Sequence, residues 1–191
     1  MPYPKTHKPA VRQRILSAAT RAFRQKGAGG VSVPEVMRAV GLTHGGFYAH
    51  FESKEQLLAE SVRQGLREIW DDFAEKLEAL PLPERLSLLV NQYLSRSHRD
   101  NPETGCALPI LSPELVRHGP EVRAALGEAV GDVLSRLSVW MPGEDEAERR
   151  HQAVLMLSSM VGAMVLARAA SDPGLSDEIL RLNRRHLKEQ P

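Results

Sequence analysis

Cysteine is almost missing from this chain. Cys106 stands alone among 191 residues, which excludes an internal disulfide framework and any multi-cysteine metal cluster. An excess of charge of one sign is missing too. The 25 basic and 24 acidic residues leave a net charge of +1, an average that taken alone argues against a nucleic-acid partner. Aromatic residues are few, four Phe, three Tyr and two Trp, so a modest apolar cavity is expected in place of a flat aromatic cage. The longest apolar run, residues 153–170, contains Ser158, Ser159 and Arg168. It is short for a span of about 20 apolar residues, and an arginine is costly in lipid, so it reads as a buried helix. A helix apolar nearly all round needs cover on every side, some of it from a partner subunit. No apolar run follows Lys5 and Lys8 before Val11, so no secretory signal is expected and the cytoplasm is the expected compartment.

What is present is helical punctuation. Strand-like alternation bounded by turn residues is hard to find, whereas apolar periods of three and four recur throughout, so the fold class is all-α with about nine helices. The expected segments are 9–26, stopped by Gly27; 32–40, opened by Ser32 and Glu35 as a capping box and ended by Gly41; and 44–51. A second capping box, Ser53 with Gln56, opens a long helix to about residue 80. Beyond Pro81 and Pro83 come 83–99, a short piece at 113–118, 120–140, 144–170 and 175–189. The breaks are assigned to Asn101-Pro102, Pro109, Pro142-Gly143 and Pro173-Gly174.

The near-zero charge then divides. Residues 1–55 hold nine basic side chains against three acidic ones, a charge of +6, while the other 136 hold 16 basic and 21 acidic, a charge of −5. A basic head sits on an acidic body, with the division expected between residues 1–52 and 53–191. Within the head, two short helices flank Gly41-Leu42-Thr43 at helix-turn-helix spacing. Val33, Val36, Met37 and Val40 supply an inner face, and Phe47 and Phe51, four apart, anchor the second helix to it. The outward face then carries Thr43, His44, Gly45, Tyr48 and Ala49.

These residues carry a resemblance. The stretch VSVPEVMRAVGLTHGGFYAHFESKEQLL, residues 31–58, together with ILSAATRAFRQKG in the first helix, resembles the DNA-binding domain of TetR-family one-component transcriptional regulators. Gly41, Phe47, Tyr48, His50, Phe51, Lys54 and Leu57 stand where that family's pattern places them. The resemblance implies a ligand-responsive repressor that binds a palindromic operator in double-stranded DNA as a homodimer and is released by a small-molecule effector, with no cofactor, no metal and no enzymatic activity. It implies that Ser32 holds a phosphate or serves only as a helix cap. It places Thr43 and His44 at base edges, and Tyr48, His50 and Lys54 at phosphate oxygens, with core packing the alternative for Tyr48 and a packed hydrogen bond the alternative for His50. Gly45-Gly46 departs from good helix design. Close approach to the major groove would account for it; loose geometry without purpose is the alternative. Lys5, His7 and Lys8 form a basic arm or a frayed terminus.

For the body, the expected dimer interface is the last two long helices. Val154, Leu157, Val161, Met164 and Val165 offer apolar area and Ala153, Gly162 and Ala163 permit close approach, with Leu175, Ile179, Leu182 and Leu187 on the second helix. Burial of both helices within one subunit is the alternative. Trp70, Tyr93, Cys106 and Met160 are the expected effector-binding residues, and each could equally be core. Cys106 is either a switch for an electrophile or oxidant, as a Gly-Cys segment in one branch of the family implies, or a small buried hydrophobe. Two rival classes remain: an architectural DNA-binding protein with no ligand, and an enzyme built on Cys106, His98, Glu114 and His118, for which no nucleophile motif exists in the spacing.

Overall fold

A computed structural model describes residues 7–189, in which nine α-helices and two short 3₁₀-helices are found and no strand. Lys5 of the basic arm lies outside the described residues. The helices are α1 (His7–Lys26), α2 (Val33–Ala39), α3 (Lys54–Leu77), α4 (Leu82–Tyr93), α5 (Arg96–Asp100), α6 (Leu108–Leu115), α7 (Pro120–Ser138), α8 (Glu146–Ala169) and α9 (Pro173–Glu189). The 3₁₀-helices are His44–Ala49 and Pro102–Thr104.

The starts and stops follow local chemistry. Ser32 and Ser53 accept from the backbone N–H of Glu35 and Gln56, each opening its helix. Asp145 does the same for Glu148 at α8. Gly27 and Gly41 both take φ of +73°, a left-handed backbone that glycine adopts without a Cβ penalty, and so end α1 and α2.

Three segments differ from the sequence reading. The span 83–99 is two helices, because Leu94 leaves helical geometry and Ser95 caps a new turn at His98. The short piece at 113–118 is instead α6, which starts at Leu108. Pro109 sits in its first turn, where its missing N–H costs nothing, and Pro113 lies inside it. The element after Gly41 is a 3₁₀-helix, closed by bonds three residues back from Gly46 to Thr43 and from His50 to Phe47.

The buried residues form one continuous cluster from Val11 in α1 to Leu180 in α9. α3 makes its most extensive contacts with α7 and with α1, and α8 packs against α7, α6 and α9. By length and composition α8 could cross a membrane, yet seven of its residues, among them Ala153, Leu157, Met160, Ala163 and Met164, are buried in this fold. Leu157, Met164, Ala153 and Ala163, expected at a dimer interface, thus face their own subunit's core. Val154, Leu155 and Leu166 on α8 and Leu175 and Leu182 on α9 remain exposed.

Candidate nucleic-acid interface

The outward face of the turn after α2 is built on a pair of aromatic anchors. Phe47 and Phe51 are buried and stacked, with ring centroids 5.7 Å apart, and Leu42 donates its N–H to the carbonyl of Met37 at 2.9 Å. The Arg12 guanidinium lies 4.4 Å from the Phe51 centroid and donates to the His50 carbonyl at 3.2 Å. With that underside pinned to α1, the opposite side faces outward: Thr43, His44, Gly45, Tyr48 and Ala49 are all exposed. The Thr43 side chain makes no capping bond. Tyr48 is 65% exposed and braced edge-on by His44 and Phe47, at 5.9 and 5.3 Å between centroids.

The remaining expected contacts are more constrained. Ser32 is exposed, and its hydroxyl accepts from Glu35 N–H at 3.4 Å. His50 is half-buried, its carbonyl engaged by Arg12. Lys54 is half-buried, and its Nζ donates to the Ala28 carbonyl at 2.9 Å. Much of the head's basic charge is likewise engaged inside the protein. Arg12 also reaches Glu60 at 2.5 Å, Arg14 donates to the Val40 carbonyl at 2.8 Å, and Arg24 is buried against the Gly65 carbonyl. Lys26 pairs with Glu35 and holds that carboxyl below its usual value, chiefly through their hydrogen bond. Arg38, in the last turn of α2, is exposed and was passed over in the sequence reading. Its position next to the inward-facing Met37 was the signal available.

In the body, Tyr93 and Cys106 meet. The Cys106 N–H donates to His98 Nε2 at 2.9 Å, and His98 Nδ1 lies 2.6 Å from the Tyr93 carbonyl, so the imidazole is neutral with its proton on Nδ1. Burial lowers its pKa to about 4. Cys106 is fully buried, and burial raises its thiol pKa even though Tyr93, the Leu108 amide, Arg24 and Arg168 pull the other way. Burial also lifts the Tyr93 hydroxyl well above its ordinary value.

Trp70 is buried against Phe73 and borders a groove of about 70 Å³ toward Ala129 and Val133 of α7. Met160 is fully buried. A larger groove of about 520 Å³ runs past Ile69, Phe73, Asn91, Ser97, His98 and Gly105, and none of Trp70, Tyr93, Cys106 and Met160 lines it. Nor do Cys106, His98, Glu114 and His118 form an acid–base relay. His98 Nε2 meets the backbone of Cys106, Glu114 accepts from Ala28 N–H, and His118 pairs with Glu55 at 2.8 Å.

Comparison with known proteins bears on this geometry. The family model described as bacterial regulatory proteins, tetR family, matches residues 15–61, which run from α1 through the exposed face into α3. The chain is 31% identical over 145 residues to the HTH-type transcriptional regulator BetI of Rhizobium meliloti, covering 74% of this chain and 70% of that protein. It is 28% identical over 184 residues to an uncharacterized HTH-type transcriptional regulator of Mycobacterium tuberculosis, covering 84% and 91%. Among solved structures, reduced E. coli NemR superposes with a TM-score of 0.79 at 21% identity, covering 94% of this chain and 95% of that one. A TetR-family regulator from Cytophaga hutchinsonii gives 0.79 at 21%, covering 98% and 96%. At that identity the structural likeness speaks for the all-α fold.

Proposed function

The chain belongs to the TetR family of bacterial transcriptional regulators and binds DNA, and from that premise we propose that it is a cytoplasmic, ligand-responsive repressor acting as a homodimer. The observation that carries the docking is the exposed edge of Thr43, His44, Gly45 and Tyr48, fixed from beneath by buried Phe47 and Phe51. Thr43 and His44 read base edges in the major groove, and Gly45 lets the backbone come close. Tyr48, Ser32 and His50 contact phosphates, joined by Arg38. Lys54 serves mainly to hold Ala28 and adds its charge from a half-buried position. The functional boundary falls at residues 52 and 53, by charge and role; the core runs continuously across it.

Two copies are needed to read half-sites in successive major grooves. Their interface is the apolar stripe of Val154, Leu155 and Leu166 on α8, continued by Leu175 and Leu182 on α9. The effector enters the groove lined by Ile69, Phe73 and Asn91, from which His98 leads inward to Tyr93 and Cys106. A thiol sealed from solvent, whose thiolate burial disfavours, supports reversible binding over covalent capture by an electrophile or oxidant.

Selection of random duplexes with the full-length protein tests the reading. It should return a two-fold symmetric site, footprinted by a dimer. Thr43→Ala or His44→Ala should relax its sequence, while Tyr48→Phe should weaken binding to every duplex. Enrichment of no sequence, or equal specificity after both head substitutions, would overturn the docking.

A further inference from the structure

The turn that closes α1 has an occupant supplied by the body. Gly27, with φ of +73°, is followed by two amides that converge on one acceptor. Glu114, near the end of α6, accepts from both, Ala28 N–H at 2.7 Å and Gly29 N–H at 3.3 Å. Successive N–H groups around a left-handed residue form a concavity suited to an anion, and here the anion is this carboxylate. The fit is close: a Cβ on Gly27 would stand 2.1 Å from Glu114 Oε1. From the other side, the carbonyl of the same buried Ala28 accepts from Lys54 at the start of α3. Ala28 is therefore held by its N–H to the body and by its carbonyl to α3.

A second tie lies three residues past the end of α6, where His118 Nδ1 stands 2.8 Å from Glu55 Oε1. The opposite end of α6 is rooted in the body. The preceding Cys106 bonds to His98, Arg168 of α8 donates to the His98 carbonyl at 2.7 Å, and α6 packs on α8. The 3₁₀-helix Pro102–Thr104 lies against α1. Two helical turns, about 12 Å of rigid rod, thus join the Tyr93–His98–Cys106 cluster to the turn that precedes α2.

We propose that Glu114 is a positioning residue for DNA binding: through the Ala28 and Gly29 amides it latches the head to α6, and His118 is the second tie of the same latch. The residues touch no DNA. They act by holding the α1–α2 turn, and with it the exposed edge, in one register on the body, so that less freedom is lost when both heads dock at once. This rests on the reading of residues 43–48 as the DNA-contacting edge.

The test compares Glu114→Ala with Glu114→Gln in the full chain. The two variants share a charge, but glutamine keeps an acceptor oxygen. Hydrogen exchange should accelerate at least about tenfold at Ala28 and Gly29 in Glu114→Ala, with the buried middles of α1 and α3 still protected. Affinity for the duplex selected by the wild-type protein should fall about 5- to 30-fold, while affinity for a scrambled duplex does not fall, since that binding follows the basic side chains that neutralise phosphates and the lost carboxylate charge can only strengthen it. Glu114→Gln should recover most of both losses. Faster exchange with unchanged operator affinity would overturn the positioning role, and unchanged exchange would overturn the contact itself. Should Glu114→Ala unfold, the same readouts on His118→Ala decide the matter, and unchanged operator affinity there would overturn the latch. If the wild type selects no sequence, the docking reading fails, and the exchange measurement still judges the latch.

Discussion

Replacing Gly45 with alanine separates folding from recognition at one atom. Gly45 is exposed, its φ is not positive, and a Cβ built there meets nothing within 4 Å. The protein has no steric objection to the methyl group. Its effect on the unfolded chain is to remove conformational freedom, which stabilises the fold by about 0.4–1 kcal/mol. In a chain of this size that raises Tm by roughly 1–4 °C. The cost arises only on DNA. A carbon needs about 3.5–4.0 Å from its neighbours, so a methyl group between the backbone and the base edges forces the element outward and stretches the Thr43 and His44 contacts. Loss of one good base contact, about 1–3 kcal/mol, corresponds to roughly 5- to 150-fold in Kd. Differential scanning fluorimetry, together with fluorescence anisotropy on selected and scrambled duplexes at one salt concentration, reads both effects. A raised Tm with unchanged affinity for the selected duplex would refute the close approach of Gly45 to DNA.

Two further substitutions follow from the internal bonds. Lys54→Met should lower the stability of the fold by about 1–2 kcal/mol in urea titration, because the Ala28 carbonyl loses a charged donor in a half-buried setting; a residue serving DNA phosphate alone would leave stability unchanged. His98 makes stability depend on pH, with its folded pKa of about 4 below the ordinary value of 6.5. Below about pH 6.5 the unfolded chain binds a proton that the folded one refuses, so stability falls as pH drops toward 4, at a slope approaching about 1.4 kcal/mol per pH unit. Urea titrations at pH 7.5 and 5.0 should show this loss in the wild type and a smaller one in His98→Gln; equal losses would refute the assignment.

Recognition of the head from sequence worked because its determinants are local. Ser32 with Glu35, Ser53 with Gln56, the left-handed Gly41, and Phe47 with Phe51 all interact within four residues or fewer, so spacing along the chain already describes the contact. The exposed edge then follows from which residues the anchors leave outside. The 3₁₀ geometry of 44–49 escaped detection, since three-residue and four-residue bonding look alike over so short a run.

The body was less legible. Apolar spacing identified α8 as a helix that needs cover on every side, but could not tell which of its faces meets its own subunit. Leu157 and Met164 turn inward while Val154, Leu155 and Leu166 stay outside, a choice made by where α6, α7 and α9 lie. Tyr93 and Cys106 meet through His98, whereas Trp70 packs with Phe73 beside α7.

The sequence by itself determined that this protein is all-helical, carries a basic helix-turn-helix head on an acidic body, and presents Thr43, His44, Gly45 and Tyr48 on one edge. Those properties depend on periodicity, caps and charge summed along the chain. Tertiary structure alone decided that Lys54 bonds a carbonyl 26 residues away, that Glu114 grips an amide 86 residues away, and that Cys106 is sealed from solvent, where burial raises its thiol pKa. A side chain's partner and its burial depend on which distant backbone arrives within about 3 Å, and only the packed fold sets that distance.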